Sequence, residues 1–428
     1  MQLSERDQLV IWHPFTQQKN RQLPIPIVRG LGSVLYTEDE QAYIDAISSW
    51  WVTLHGHAHP YIAEKIYKQA LQLEQVIFAG FTHEPAVRLA ERLLPLLPGD
   101  FKRIFYSDNG STSTEVAIKM AVQFWWNREQ KNRRKILAFN NAYHGDTFGA
   151  MSVSDRSVFT LAFHDLLFEV LFIDTPTPEN IDQLLSIVQE NGTEIAAFIY
   201  EPLVQGAGGM KMYDAILMDQ LLTAVKQEQI ICIADEVMTG FGRTGKFFAS
   251  EYMKNKPDII CLSKGLTGGT MALGVTACSG NIYQAYVTDD KYKTFFHGHS
   301  FTANPLACTA ALASLDLFEQ NNCLQVVQEI TNAHLNFKDE ISSFPGIKNI
   351  RQIGTILAFE LQTGKDEYLN NISSVITDLA IKNGVYLRPL GNTVYLMPPY
   401  CITKQELEKT YDVIRLILKE WKDRGSAQ

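Results

Sequence analysis

Residues 230–264, IICIADEVMTGFGRTGKFFASEYMKNKPDIICLSK, contain two short apolar segments that each lead into a charged side chain. The first, Ile230 to Ala234, is followed at once by Asp235. The second, Asp258 to Leu262, ends two residues before Lys264, and a polar passage with helix-like character separates the two. If both segments are parallel strands, the acid and the lysine emerge at the same edge of a sheet. Open α/β sheets bind ligands at that edge, so a ligand site is predicted there.

An acid and a lysine that face one crevice are the pair that pyridoxal phosphate requires, because this cofactor carries an aldehyde and a basic ring nitrogen. Lys264 would form the Schiff base, provided that desolvation and cationic neighbours leave enough of its amine unprotonated. Asp235 would keep the ring nitrogen protonated. Taken singly, a turn carboxylate and a solvated loop lysine are reasonable alternatives.

A phosphate site is predicted where a helix begins after the strand Ile104 to Tyr106. The turn-forming sequence DNG precedes this helix, and Thr112 with Glu115 matches a capping box. Gly110 and Ser111 would then present backbone donors and a hydroxyl at a helix N-terminus, where phosphate binds well. A well-capped helix without a ligand is the alternative.

Three further loops carry side chains suited to such a site. Tyr143 follows a strand that ends near Phe139 and could stack on a planar ring, although a packed loop tyrosine is the simpler interpretation. The loop from His297 to Ser300 supplies another hydroxyl. Arg388 closes a strand and could bind a carboxylate. Together with the acid and the lysine, these loops make a cofactor site the better interpretation.

Two other patterns are set aside. The sequence GFGRTG matches the dinucleotide fingerprint GxGxxG, but two carboxylates stand between the strand and the glycines, and no small-residue helix follows. His55, His57 and His59 alternate as metal ligands on a strand would. Gly56 and Pro60 break any regular element there, so ring packing in a loop is favoured and no metal is predicted.

The composition is that of an ordinary globular protein, with 428 residues, 46% hydrophobic and 20% charged residues. A net charge of −9 without a basic run argues against nucleic acid as a partner. No apolar run has the length of a membrane span, and the first residues lack a signal peptide's pattern. The six cysteines show no CxxC spacing and are predicted to be reduced, which favours a cytoplasmic protein.

Alternating strands and helices predict an α/β fold with a large domain and a smaller one. Residues 51–318 are expected to form the large cofactor-binding domain, with a mostly parallel central sheet flanked by helices. Residues 319–428 read as strand, helix, two strands and helix, which is compact enough for a separate small α+β domain. Residues 1–50 are expected to be an N-terminal arm and strands that pack with the small domain.

Four segments, ADEVMTGFGRTG, SKGLTGG, DNGSTSTEVAIKMA and EPLVQGAGG, resemble the class III, fold-type-I aminotransferases. Five more, IWHPFTQ, SSWWVTLHGHAHP, AYHGDTFGAMSV, FFHGHSFTANPLAC and YLRPLGNTVYLMPPY, resemble the biotin-pathway branch of that family. The resemblance runs from about Ile11 to Tyr400. It implies a fold-type-I pyridoxal phosphate transferase that transfers an amino group to 8-amino-7-oxononanoate and forms 7,8-diaminononanoate.

The resemblance also implies roles for the residues at the predicted cofactor site. Lys264 would be the Schiff-base lysine and Asp235 the partner of the pyridinium nitrogen. Gly110 and Ser111 would bind the cofactor phosphate, and Tyr143 would stack on the pyridine ring.

A second set of residues is implied to serve the substrates and the partner subunit. Trp50 would line the substrate pocket, Arg388 would take the carboxylate of the keto-acid substrate, and Gly298 falls where the family contacts substrate. Members of the family are homodimers, in which Ser300 would reach the phosphate from the other subunit. Phe15 stands where the users of S-adenosylmethionine carry a tyrosine that helps to handle this donor.

The amino donor is therefore the least defined part of the prediction. Two features favour lysine: His299 replaces a proline of the adenosylmethionine users, and a lysine-using subgroup shares the HGHS pattern. The segments WHP, SSWW and YLMPPY instead match the adenosylmethionine users. S-adenosyl-L-methionine is the favoured donor and lysine the alternative. An omega-amino-acid transaminase of the 4-aminobutyrate type is disfavoured by the paired tryptophans and HPFTQ. A non-catalytic binding protein of the same fold is disfavoured because Lys264 is present.

Overall fold

A computed structural model describes residues 2–19, 21–362 and 372–425. Its α-helices are α1 (Leu3–Val10), α2 (Ser48–Trp51), α3 (Pro60–Ala70), α4 (Glu84–Leu93), α5 (Gly110–Asn127), α6 (Phe148–Ser152), α7 (Ile181–Asn191), α8 (Ala215–Gln227), α9 (Gly280–Gln284), α10 (Pro305–Gln320), α11 (Cys323–Ile341), α12 (Ile372–Lys382) and α13 (Lys404–Gly425). Short 3₁₀ helices are Leu94–Leu96, Leu161–Leu166, Ala249–Tyr252, Lys264–Thr267 and Lys291–Lys293. The strands are β1 (Ile27–Leu31), β2 (Val34–Thr37), β3 (Ala42–Asp45), β4 (Phe101–Ser107), β5 (Lys135–Phe139), β6 (Val170–Ile173), β7 (Ile195–Tyr200), β8 (Val204–Gln205), β9 (Lys211–Met212), β10 (Ile231–Asp235), β11 (Ile259–Leu262), β12 (Gly274–Ser279), β13 (Ile347–Ile353), β14 (Ile356–Leu361), β15 (Val385–Tyr386) and β16 (Thr393–Leu396).

A seven-stranded sheet in the order β4-β12-β11-β10-β7-β5-β6 forms the centre of the molecule. Six of its strands run in one direction, and β12 runs opposite to them. Every residue of β7, β10 and β11 is buried, as expected for parallel strands covered by helices on both faces. This sheet confirms the predicted α/β class. The parallel pairing of β10 with β11, which sets Asp235 opposite Cys261, confirms that the predicted acid and lysine leave the sheet at one edge.

The passage between β10 and β11 consists of turns and one 3₁₀ segment, Ala249–Tyr252, and not of the helix-like structure that was predicted. Glu236 explains this difference. Its buried carboxylate accepts hydrogen bonds from the backbone N–H groups of Ala249 (3.0 Å) and Ser250 (2.6 Å) and from the hydroxyl of Thr239 (2.8 Å). These bonds hold the glycine-rich chain in turns around a buried carboxylate.

Helix α5 begins at Gly110, and its capping box differs from the predicted one. Asn109 is the N-cap: its side chain accepts from Thr112 N–H (2.9 Å), and Thr112 Oγ1 accepts from Asn109 N–H (3.1 Å). The predicted cap of Thr112 with Glu115 is therefore wrong. Glu115 instead accepts from the N–H of Gly149 (2.7 Å) at the start of α6. The Glu115 carboxylate, which the local sequence pattern assigned to the cap, is thus used in a tertiary contact instead.

Two smaller sheets involve the ends of the chain. In the sheet of order β1-β2-β3-β15, the short strand β15 from the C-terminal region pairs in parallel with β3, so that the first fifty residues join that region. The other sheet has the order β13-β14-β16. Its strands β13 and β14 form an antiparallel hairpin that turns at Gly354, where the sequence predicted the single first strand of the small domain. Helix α1 was not predicted, because its sequence has little apolar periodicity. Helix α13 begins after a capping box in which Thr403 and Glu406 exchange hydrogen bonds between side chain and backbone N–H. The two boundaries between the three predicted segments stay a prediction.

The alternating histidines near residue 55 each have a protein partner or a ring neighbour. His55 Nε2 lies 3.0 Å from Ser314 Oγ, and His57 Nε2 lies 2.9 Å from a carboxylate oxygen of Asp45. The ring of His59 lies edge-on to that of His55, with 6.4 Å between the centroids.

Across residues 2–19, 21–362 and 372–425, no three His, Cys, Asp or Glu side chains are grouped so as to hold a metal ion. Over the same ranges, none of the helices combines the length and the apolar character needed to cross a membrane.

His334 on α11 is fully buried and uses both ring nitrogens. Tyr411 donates its hydroxyl proton to Nδ1 (2.7 Å), and Nε2 donates to the backbone oxygen of Thr355 (3.2 Å). Burial lowers the pKa of this imidazole from 6.5 to about 4. Since the unfolded chain takes up a proton that the buried ring excludes, stability is complete above pH 6.5 and falls as the pH drops toward 4.

We expect this one histidine to contribute up to about 3 kcal/mol to the loss of stability in acid. Thermal unfolding midpoints of the wild type and of His334→Gln, measured between pH 7 and pH 4.5, test this. The variant has no group to titrate at this position, so its midpoint is expected to fall less steeply over that range. Equal slopes for the two proteins would contradict the assignment.

Candidate active site

A cavity of about 450 Å³ opens at the carboxyl ends of β7, β10 and β11. It is lined by five of the six residues predicted for the cofactor, which are Asp235, Lys264, Gly110, Ser111 and Tyr143; the sixth, Ser300, lies elsewhere in the chain's fold. These residues come from four segments of the sequence, and the strand order of the sheet brings them together. The cavity lies at the sheet edge where the sequence had placed the ligand site.

Lys264 follows β11 in a short 3₁₀ turn and has a φ of +46°, which is uncommon for a residue with a side chain. Its Nζ atom lies 4.7 Å from the centroid of the Trp51 ring. Burial lowers the pKa of the amine to about 8; Arg243 adds to this shift, while Asp235 and Glu201 oppose it. A larger fraction of this amine is therefore neutral near pH 7 than in an ordinary lysine.

Asp235 is the last residue of β10, and only 5% of it is exposed. One carboxylate oxygen lies 2.7 Å from Nδ1 of His144, and the other accepts from the N–H of Val237 (3.1 Å). His144 is itself buried, and in the part of the chain that the structure describes its Nε2 atom has no hydrogen-bond partner. The acid is thus held in one orientation at the base of the cavity.

Gly110 and Ser111 are the first two residues of α5 and border the cavity from the side. Ser111 Oγ accepts from the backbone N–H of Asp146 (3.2 Å), which joins the helix start to the loop after β5. Gly145 in that loop has a φ of +128°, and a Cβ atom there would collide with Ser111 Oγ. A Cβ atom at Gly110 would lie 2.8 Å from Val237 Cγ1. The two glycines therefore allow a close approach of backbone to a helix N-terminus, where anions bind.

Tyr143 joins this cavity to a second one of about 610 Å³, since it lines both. Its backbone N–H donates to a carboxylate oxygen of Glu201 (3.0 Å). Burial, with Asp146 nearby, raises the pKa of the phenol above its usual value, so the hydroxyl keeps its proton at neutral pH. Its ring lies 6.4 Å, between centroids, from the ring of Phe159 in the second cavity.

The predicted substrate residues Phe15, Trp50 and Arg388 form one cluster. The rings of Phe15 and Trp50 are 5.4 Å apart and edge-on, and the guanidinium carbon of Arg388 lies 4.9 Å from the centroid of the Trp50 ring. Phe159, which the sequence analysis missed, lies 5.7 Å from Phe15 and extends the cluster toward Tyr143. A single aromatic in an irregular loop carries no pattern that could have identified it.

The structure does not bring Gly298 and Ser300 to this cavity within one chain. They line a third cavity of about 750 Å³, and none of its lining residues also lines the cavity around Lys264. The backbone oxygen of Ser300 accepts from Gln75 Nε2 (2.6 Å). Among the paired tryptophans, Trp51 and not Trp50 lines the cavity around Lys264.

Glu201 is a second buried carboxylate in the cavity to which the sequence analysis gave no role. It follows β7 directly and is 6% exposed, and its two oxygens accept from the N–H groups of Tyr143 (3.0 Å) and Gly206 (2.9 Å). Burial raises its pKa to about 7; His144 opposes this shift and Asp235 adds to it. The signal that located Asp235, an acid directly after a fully buried strand, applies equally to this residue.

Comparison with known proteins places the chain in a family. The model of the family "Aminotransferase class-III" matches residues 15–418. An adenosylmethionine-8-amino-7-oxononanoate aminotransferase from Synechococcus elongatus is 47% identical over 420 residues, which cover 96% of this chain and 98% of the relative. The crystal structure of an enzyme with that name from Methanocaldococcus jannaschii superposes with a TM-score of 0.92 at 34% identity, covering 96% and 98% of the two chains. An amine transaminase from an uncultivated Pseudomonas species, solved in a PLP-bound form, gives a TM-score of 0.89 at 30% identity over 95% and 97%. The chain therefore belongs to the class III aminotransferases.

Proposed function

We propose that this protein is the transaminase of biotin biosynthesis that converts 8-amino-7-oxononanoate to 7,8-diaminononanoate, with S-adenosyl-L-methionine as amino donor. The observation that carries the proposal is the placement of Lys264 and Asp235 in one cavity beside the N-terminus of α5. The names of the relatives from Synechococcus elongatus and Methanocaldococcus jannaschii support the substrates.

Pyridoxal 5'-phosphate is the cofactor of the class III family, and the residues of the cavity fit it. The close backbone approach at Gly110 suits the phosphate, with Ser111 adding a hydroxyl, and Tyr143 offers a ring face to the pyridine. Lys264 would form the Schiff base and Asp235 would face the ring nitrogen. When bound, the cofactor supplies an electron sink for negative charge on the carbon next to the transferred nitrogen.

The chain's own residues then orient the reaction and move protons. Asp235, held by His144, would keep a proton on the ring nitrogen, because a buried carboxylate favours a cation beside it. Lys264 Nζ would carry the proton between carbon atoms of the substrate and the cofactor. A pKa of about 8 suits a base that works near neutral pH.

Arg388 is proposed to bind the carboxylate of the keto-acid substrate, since a guanidinium can donate two parallel hydrogen bonds to it. Trp50, against which Arg388 packs, and Phe15 would line the pocket for the methylene chain. Burial of apolar carbon there contributes about 0.8 kcal/mol for each methylene group. Gly298 is proposed to contact the substrate from the partner subunit.

We further propose a homodimer in which Ser300 reaches the cofactor phosphate of the other subunit. In one chain Ser300 lines a separate cavity, so it can complete the phosphate site only from a second copy. The large apolar side chains of Ile77, Phe296 and Phe301 near this loop are 62%, 74% and 63% exposed. Such exposure fits a surface that a partner covers. The free thiols of all six cysteines fit the cytoplasm as the compartment.

The amino donor is tested by mixing the purified protein with pyridoxal phosphate and adding S-adenosylmethionine, lysine or 4-aminobutyrate separately. Loss of the absorbance of the lysine-bound cofactor reports transfer of the amino group. We expect S-adenosylmethionine to cause this loss. Lysine is the alternative donor because of Phe15 and His299. A response to lysine alone would overturn the choice of S-adenosylmethionine. A response to 4-aminobutyrate alone would overturn the proposed function.

A further inference from the structure

Glu201 is a buried carboxylate to which the proposed reaction assigns no role. It lines the cavity with Lys264 and Asp235, and its oxygens accept two backbone N–H donors. Across the described residues, no arginine, lysine or histidine side chain forms a hydrogen bond or an ion pair with it. A carboxylate can accept about four hydrogen bonds, so it retains capacity for a ligand.

The energetics of this carboxylate favour the arrival of a cation. A buried charge without a paired counter-charge is costly, and burial raises the pKa of Glu201 to about 7. Lys264 and His144 act on it electrostatically, but the Lys264 amine must become neutral to react, and Nδ1 of His144 is bonded to Asp235. Asp235 increases the cost, because it is a second negative charge in the same cavity.

The proposed substrate brings a cation to this position. In 8-amino-7-oxononanoate the carbon that receives the new nitrogen is bonded directly to the carbon that carries the 8-ammonium group. When the ketone carbon is at Lys264, the ammonium group must therefore lie in the same cavity. The distal carboxylate of the substrate is at the other end of its chain, toward Arg388.

We propose that Glu201 is the binding residue for the 8-ammonium group of the amino ketone and makes the enzyme select an α-amino ketone over a simple ketone. This inference rests on the proposed function. Asp235 is not expected to bind the ammonium group, because it contacts His144 and is proposed to face the ring nitrogen. With Arg388 at one end and Glu201 at the other, the substrate is held by two charges of opposite sign.

The test compares two acceptors in the cofactor-loaded enzyme. KM and kcat are measured with 8-amino-7-oxononanoate, and the inhibition constant is measured with 7-oxononanoate, which lacks the amino group. Glu201→Gln is expected to raise KM for the amino ketone on the order of 100-fold, because a buried charge pair is lost. The inhibition constant of 7-oxononanoate is expected to change by no more than about threefold, within the range of a neutral contact. Cofactor absorbance, recorded for each variant, reports an intact cavity.

Asp155→Asn is the matched control, since Asp155 lines the neighbouring cavity of about 610 Å³ but not the one around Lys264. If the effect is specific to Glu201, this variant should leave unchanged the ratio of KM for the amino ketone to the inhibition constant of 7-oxononanoate. An equal loss of selectivity in this variant would overturn the proposal in favour of a general negative potential.

A second measurement uses the wild type alone, in case Glu201→Gln does not retain cofactor. The wild type is expected to bind 8-hydroxy-7-oxononanoate, which keeps the carboxylate but is uncharged at position 8, far more weakly than the amino ketone. Equal binding would overturn the inference. If the wild type transfers an amino group to the amino ketone but Glu201→Gln keeps full selectivity, only the inference fails. If the wild type does not aminate the amino ketone with any donor, the proposed function fails instead.

Discussion

Replacement of Lys264 by alanine is expected to abolish turnover, with a loss in kcat of about 10⁴-fold or more, as for the removal of a nucleophile. The reason is that no other amine lines the cavity among the residues that the structure describes. The absorbance of lysine-bound cofactor should vanish as well. Noncovalent cofactor binding should persist, because Asp235 and the N-terminus of α5 remain.

The measurement combines an absorbance spectrum with steady-state kinetics. Lys254→Ala is the matched control, because Lys254 is exposed and lies in the same passage between β10 and β11; it should behave as the wild type. Lys264→Arg keeps a positive charge without a nucleophilic amine and should be as inactive as the alanine variant. Survival of lysine-bound cofactor in Lys264→Ala would show that the site is assigned to the wrong residue.

Asp235→Asn should produce the second largest effect, a loss in kcat on the order of 10³-fold, equivalent to about 4 kcal/mol in the barrier. The amide is nearly the same shape as the carboxylate, but it carries no charge to hold a proton on the ring nitrogen. The contact with His144 can persist, so the loss should not come from misfolding. Thermal unfolding of the variant, compared with the wild type, checks that point.

A cofactor analogue methylated on its ring nitrogen separates charge from structure in this variant. Because the methyl group gives the ring a permanent positive charge, it should restore part of the activity of Asp235→Asn. It should not increase the activity of the wild type. An absence of rescue would mean that Asp235 serves the cavity in another way than by stabilising a protonated ring.

Local patterns in the sequence were enough to predict much of the fold. Short apolar runs that end in charged residues marked β10 and β11, since a strand that is buried on both faces must be continuously apolar. Proline at the first helical position marks the starts of α3 and α10, where its fixed φ suits the helix and its missing N–H costs no hydrogen bond. These signals depend only on neighbouring residues, so no knowledge of the tertiary fold was needed.

The same reasoning failed where a tertiary contact competed with a local one. Thr112 and Glu115 have the spacing of a capping box, yet Asn109 caps α5 and Glu115 bonds to the start of α6. Glu236 likewise folds the passage after β10 around its own carboxylate. In each case a carboxylate found backbone N–H donors elsewhere in the chain, and local spacing cannot show such partners.

The sequence by itself determined the family of the protein and the strand ends at which the acid and the lysine appear. Only the tertiary structure decided which other side chains join them. Asp235 meets His144 across 91 residues, and Glu201 meets the backbone of Tyr143 across 58, because β10, β7 and β5 are neighbours in the sheet. It also decided that Ser300 lies apart from the cavity within one chain. Apolar periodicity and turn chemistry act over a few residues, whereas the order of strands in a sheet is set by the packing of the whole core.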